Sequence, residues 1–351
     1  MNKSLVVLLY AFMLTNFCMH SVLLAQNSTS WSSTAANENW NVGGNWDNGI
    51  PDLVTDAFIS TVNTVTLNTS GLEVATVKFQ GAGILQLNEA LNITGRGTET
   101  PSLMITDSDV IIANGKSLVV VGDVEVIDGS ISGGNLMLTP DTAAPLQDGK
   151  ILVQGTGSLN AATVNAASVT ASGGNVTVEN LTTSGTTNVT GGSLNANSLN
   201  AASVTTSGGS VSVGTLTTAG DYDFTGGTLT MNLGGTAQGT EYSFLDIGGD
   251  FDIENSGTTL EVATVNGFAL SAGQTFDLWD VGPSNDSATD GMFASIILPT
   301  LSTNLEWDDS QLFTTGQLSI TAVPEPSSLA ALGMLLTVFT VRRRRRTTVA
   351  A

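Results

Sequence analysis

The sequence predicts an all-β chain, built as a parallel β-helix or solenoid with β caps. Three observations carry that expectation. Ser158–Gly192 recurs as Ser193–Gly227, two stretches of 35 residues with 22 identities and no gap. Inside each, apolar and polar residues alternate, as in Val176-Thr177-Val178 and Val211-Ser212-Val213, the pattern of a half-buried strand. No amphipathic helix stands out between Gln26 and Ala322.

At the N-terminus, Lys3 supplies a positive charge, Leu5 to Phe17 an apolar run, and Ala25 a small residue ahead of Gln26. That order predicts an export signal over residues 1–25, cleaved between Ala25 and Gln26. A lipoprotein signal at Cys18 is the rival, and Thr15-Asn16-Phe17 suits it poorly. Cys18 and His20 are the only cysteine and histidine in the chain, and both fall in this segment. A cleaved chain would hold neither. That excludes disulfides, Ser-His-Asp and Cys-His nucleophile systems, and zinc, haem or copper sites built on His or Cys.

Residues 26–157 read as an N-terminal cap followed by solenoid. Trp31, Trp40 and Trp46, three of the five tryptophans, fall within sixteen residues. The end of a solenoid exposes strand edges and apolar core, and aromatic rings can cover both. The cap reading is preferred; the alternative is a platform on which sugars stack. Short β-type runs follow, among them Val62 to Leu67, Ile84 to Leu87, Leu118 to Val121 and Val124 to Ile127, with Gly-, Asn- and Asp-containing turns between most of them.

Residues 158–227 are the two 35-residue repeats. Gly-Gly doublets start at Gly173, Gly191, Gly208 and Gly226, at spacings of 18, 17 and 18. A period near 18 is too short for an ankyrin or TPR unit and fits one coil of a parallel solenoid. The doublets predict tight corners with positive φ. Equivalent residues would then stack about every 4.8 Å. An unfolded low-complexity linker is the alternative, and the in-phase Val and Leu argue against it.

Residues 228–322 bring in bulk, including Phe251, Phe276, Trp279, Phe293 and Trp307, and read as a C-terminal β region closing the solenoid. Gly273 to Val281 and Phe293 to Leu298 are expected strands.

Charge narrows the chemistry. Between Gln26 and Ala322 there are four bases against thirty acids, a net of −26. Such a surface repels nucleic acid, whose binding needs many Lys and Arg contacts. It also repels anionic polysaccharide and membrane unless divalent cations bridge them. Carboxylates are the only catalytic groups left: Asp107 with Asp109, Asp221 with Asp223, Asp250 with Asp252, Asp277 with Asp280, and Asp308 with Asp309. Glycosidases use two carboxylates about 5 to 9.5 Å apart. Acid pairs are common in so acidic a chain, however, so no catalytic residue is expected. Calcium, which takes oxygen ligands, would find them in the acidic loop Asp280 to Gly291. That loop lacks EF-hand spacing, and no other cofactor is expected.

The C-terminal stretch has three parts in order. Val323-Pro324-Glu325-Pro326 comes first, then an uncharged apolar run from Ser327 to Val341, then Arg342, Arg343, Arg344, Arg345 and Arg346. As a helix the run would cover about 22 Å. A hydrocarbon core is about 30 Å thick, a mismatch that snorkelling arginines and local thinning absorb. One transmembrane helix is expected, with the arginines cytoplasmic and the long N-terminal part on the far side. The prolines fix φ and remove two backbone donors, leaving an extended, readable motif.

Residues 323–346 resemble the PEP-CTERM sorting signal, in which Pro-Glu-Pro, a membrane span and an Arg-rich end occur in that order; here the tail 347–351 runs past the arginines. The resemblance implies recognition by an exosortase-type membrane protease, a transient inner-membrane anchor, and final residence at the cell surface or in the extracellular matrix. A plain single-span anchor is the alternative. The opening with Trp31, Trp40, Asn45-Trp46-Asp47-Asn48-Gly49-Ile50-Pro51 and Asp56-Ala57-Phe58-Ile59 resembles that of secreted β-helix proteins related to autotransporter passengers. A structural or adhesive role is therefore expected. The alternatives are a glycan-binding module of an exopolysaccharide or biofilm matrix and, third, a carboxylate-dependent polysaccharide-active enzyme.

Overall fold

The computed structural model describes residues 27–35, 38–95, 101–141, 148–282 and 289–323. The chain divides into two compact units, Met1–Leu194 and Asn195–Ala351.

The first unit is a stack of coils whose strands pair in parallel. One ladder runs Ala57, Val77, Leu103, Val124, Ile151, Val169, Thr187, each residue in register with the next. A second runs Val65, Leu85, Val110, Ile131, Leu159, Val176. A third runs Leu72, Leu91, Leu118, Leu136, Val164, Leu181. All of these except Leu72 point inward and are buried. Three ladders, each drawing a short strand from every turn of the chain, make the long all-parallel sheet expected of a β-solenoid.

The alternation of the sequence fixes which side faces in, because neighbouring side chains of a strand point to opposite faces. Ser158–Ala166 shows it: Leu159 and Ala161 are buried, Ala162 and Thr163 are not, and Val164 and Ala166 are buried again. Two consecutive residues outside the core break the period of two. The strand turns a corner there and resumes on the next face.

The repeat sets the coil length. Ser158 pairs with Asn175 and Lys150 with Ser168, offsets of 17 and 18 residues for one turn of chain, about half of the 35-residue repeat. Earlier coils are longer: Asp56 pairs with Thr76 and Ser130 with Ser158, offsets of 20 and 28. Each doublet of the repeats has one glycine at positive φ: Gly173 (94°), Gly192 (68°), Gly209 (74°) and Gly227 (98°). At Gly192 a Cβ would also collide with the Gly174 carbonyl of the coil below.

In the second unit Ser203–Thr218 pairs in parallel with Tyr222–Leu233 at an offset of 18, from Val204 to Tyr222. The offset then widens to 29 from Tyr222 to Phe251 and 38 from Asp252 to Asp290. Large aromatic side chains fill the core of this unit. Tyr222 stacks on Phe251 with centroids 5.1 Å apart, and Phe251 meets Trp279 edge-on at 5.6 Å.

A small antiparallel sheet of Thr275–Asp277, Gln317–Ala322 and Leu305–Asp308 lies in the same unit. The strand expected over Gly273 to Val281 is thus two strands. Thr275–Asp277 joins this sheet, while Trp279–Val281 pairs in parallel with Phe244–Ile247. Leu278 is the joint. It is buried beside buried Trp279, which breaks the alternation. Its N–H donates to the Gly316 carbonyl and its carbonyl accepts from Leu245 N–H.

Candidate functional surfaces

The tryptophans come together. Trp46 packs edge-on against Trp31 at 5.1 Å and Trp40 at 4.9 Å between centroids. Trp46 Nε1 donates to the Trp40 carbonyl at 2.8 Å. Trp31, Trp40 and Trp46 are 7, 0 and 4% exposed. These rings are packed into protein. Asp47 ties the same segment down: its Oδ1 accepts from Ser30 N–H at 2.7 Å and Thr29 Oγ1 at 3.1 Å. The Ser30 N–H is the main reason the carboxyl is held below its ordinary pKa.

The paired acids have different surroundings. Asp107 sits in a turn at φ 52°, whereas Asp109 opens a strand and accepts from Ser130 Oγ. Asp221 accepts from Asp250 N–H at 3.0 Å. Asp308 folds back on Ser310, which lowers its pKa. Asp277 and Asp280 stand on either side of the Leu278 joint; burial first, then the Asp280 charge, raises Asp277.

What the fold brings together instead is a ladder of Asp223, Asp252 and Asp290, register partners on successive strands. Sequence separation hid this grouping, because it depends on the widened coils. Asp252 is exposed between buried Phe251 and Ile253. Its pKa is raised, first by partial desolvation and then by the charges of Asp290, Asp223, Asp250 and Asp221. The acids lie on an outward face rather than in a cleft. Among the described residues no three His, Cys, Asp or Glu side chains are grouped to hold a metal ion.

Depressions among the described residues include these two. An open groove of about 620 Å³ is lined by Val262, Phe268, Leu270, Leu298, Pro299 and Leu301, with no charged residue on its walls. A smaller one of about 270 Å³ has Asp123, Glu125, Lys150 and Leu152 on its rim. Its charges are committed: Asp123 Oδ1 accepts from the Gly149 and Lys150 N–H groups, Glu125 from Gln154 Nε2, and Lys150 Nζ lies 2.8 Å from Asp148. Neither depression places two free carboxylates across a gap.

Ala25 and Gln26, the motif Pro324, Glu325 and Pro326, the apolar run and Arg342 to Arg346 lie outside the described residues, as does most of the acidic loop between Asp280 and Gly291. Among the described residues no helix is long and apolar enough to cross a membrane.

The chain matches no protein-family model, no curated protein and no solved structure.

Proposed function

We propose that the protein is an exported, exosortase-processed structural or adhesive component of the cell surface or extracellular matrix. The observation that carries this reading is the ordered arrangement Pro324-Glu325-Pro326, apolar run, Arg342 to Arg346. The long parallel sheet supports it, since stacked coils provide an extended surface at little cost in sequence complexity. In this reading the partners are an exosortase-type membrane protease and, before processing, the membrane itself, and catalysis plays no part.

The test is the intact mass and location of the protein in its host, with and without Pro324, Glu325 and Pro326 replaced by alanine. Loss of the tail beyond the motif in wild type, with retention in the variant, is the expected result. An uncleaved, membrane-embedded wild type would reduce the reading to an ordinary anchored ectodomain.

A second reading is a glycan-binding module. The exposed polar surface of the coils favours it; the buried tryptophans do not serve it.

A further inference from the structure

The acids are not evenly spread. From Ile151 to Gly220 the chain has a single charged residue, Glu179, although its net charge is −21. In the first unit this charge-poor stretch forms Ser158–Ala166 and Asn175–Thr183, paired in parallel, with Glu179 exposed on the second strand. The outward side chains alternate Asn with Thr across the pair: Asn160 beside Thr177, Thr163 beside Asn180, Asn165 beside Thr182. All six are exposed or half-exposed.

Among the described residues these six side chains make no hydrogen bond. The polar groups around them do: Ser193 Oγ donates to Asn175 Oδ1 at 2.8 Å, and Thr183 bonds Thr187 inside the coil. Apart from the single carboxylate of Glu179, the face is therefore a regular array of amides and hydroxyls, each able to donate and accept, with spare capacity throughout. A phosphate or carboxylate partner would need cations, which the stretch lacks. An apolar peptide would need apolar anchors, and here those point inward. A chain of neutral sugars presents hydroxyls that both donate and accept, repeated along its length. A repeating array can engage many of them, so weak single contacts add up.

We propose that this outward face of Ser158–Ala166 and Asn175–Thr183 binds neutral, hydroxyl-rich polysaccharide. The inference rests on the reading of the solenoid as an exported surface and names its partner. The experiment is native electrophoresis of the mature protein in gels containing hydroxyethyl cellulose, galactomannan or alginate. Wild type should be retarded in at least one neutral gel and run freely in alginate. Thr177→Glu combined with Asn180→Glu should abolish the retardation. Thr177→Ala combined with Asn180→Ala, which adds no charge, should weaken it several-fold, with an unchanged circular dichroism spectrum. No retardation in either neutral gel, equal retardation in alginate, or full retardation of both double variants would overturn the inference. Processing and location are scored separately. A processed surface protein that runs freely in every gel sinks this inference alone, and a retarded protein that is never exported sinks the export reading alone.

Discussion

Asp252 lies directly across the parallel ladder from Asp223 on one side and from Asp290 on the other. Like charges placed opposite one another in a sheet oppose folding by roughly 0.2–1 kcal/mol. Exposure to solvent moves the effect toward the lower end of that range. The folded-state pKa of Asp252 is raised, so its carboxyl favours the fold when protonated, and that contribution is lost as pH rises through the folded value. Asp252→Asn should therefore raise the melting temperature at pH 7, by an amount equivalent to about 0.5 kcal/mol. The advantage over wild type should shrink as pH falls toward 4 and as salt is added, because screening weakens the repulsion. Thermal melts of both proteins over a pH and salt grid check this; an advantage that grows in acid contradicts it.

Leu181 is in register with Val164 in the third ladder and is 1% exposed. Leu181→Ala should cost about 2–5 kcal/mol through lost burial and the cavity left behind. Asn180→Ala, one residue away and pointing out, should stay within about 0.5 kcal/mol of wild type. Denaturant titration followed by circular dichroism separates the two.

The Trp46 indole both packs on two rings and donates to the Trp40 carbonyl. Trp46→Phe keeps most of the apolar bulk and removes the donor, leaving a buried acceptor short of a partner. A loss of about 1–3 kcal/mol is expected. Tryptophan fluorescence during unfolding reports on this cluster directly. An unchanged midpoint would mean that the hydrogen bond contributes nothing.

Gly192→Ala should destabilise the coil junction, because the residue sits at φ 68° and faces the Gly174 carbonyl. Faster cleavage within the repeats in a limited proteolysis time course is the expected readout. Ser184→Ala, also in this repeat but exposed, serves as the control.

Much of the repeat architecture was legible in the sequence. The Gly-Gly spacing gave the coil length because each doublet includes a residue that must take positive φ, and the Val and Leu phase gave the inward faces. The lengthened coils were harder to read. An offset of 28 or 38 residues has no internal copy to announce it, so Asp223, Asp252 and Asp290 looked like members of separate local pairs. Gly273 to Val281 looked like one strand because apolar residues cluster there; two adjacent inward side chains, Leu278 and Trp279, divide it. The clustering of Trp31, Trp40 and Trp46 was visible in their spacing; their mutual edge-on packing was not.

One turn of chain takes 17 or 18 residues, so the 35-residue repeat spans two turns. The 35-residue repeat is thus an interchangeable cassette. Adding or deleting one whole copy would change the reach of the stack by about 10 Å, two strand spacings, while every remaining residue kept its layer and its face. Length in this protein can drift by duplication without any core having to be redesigned.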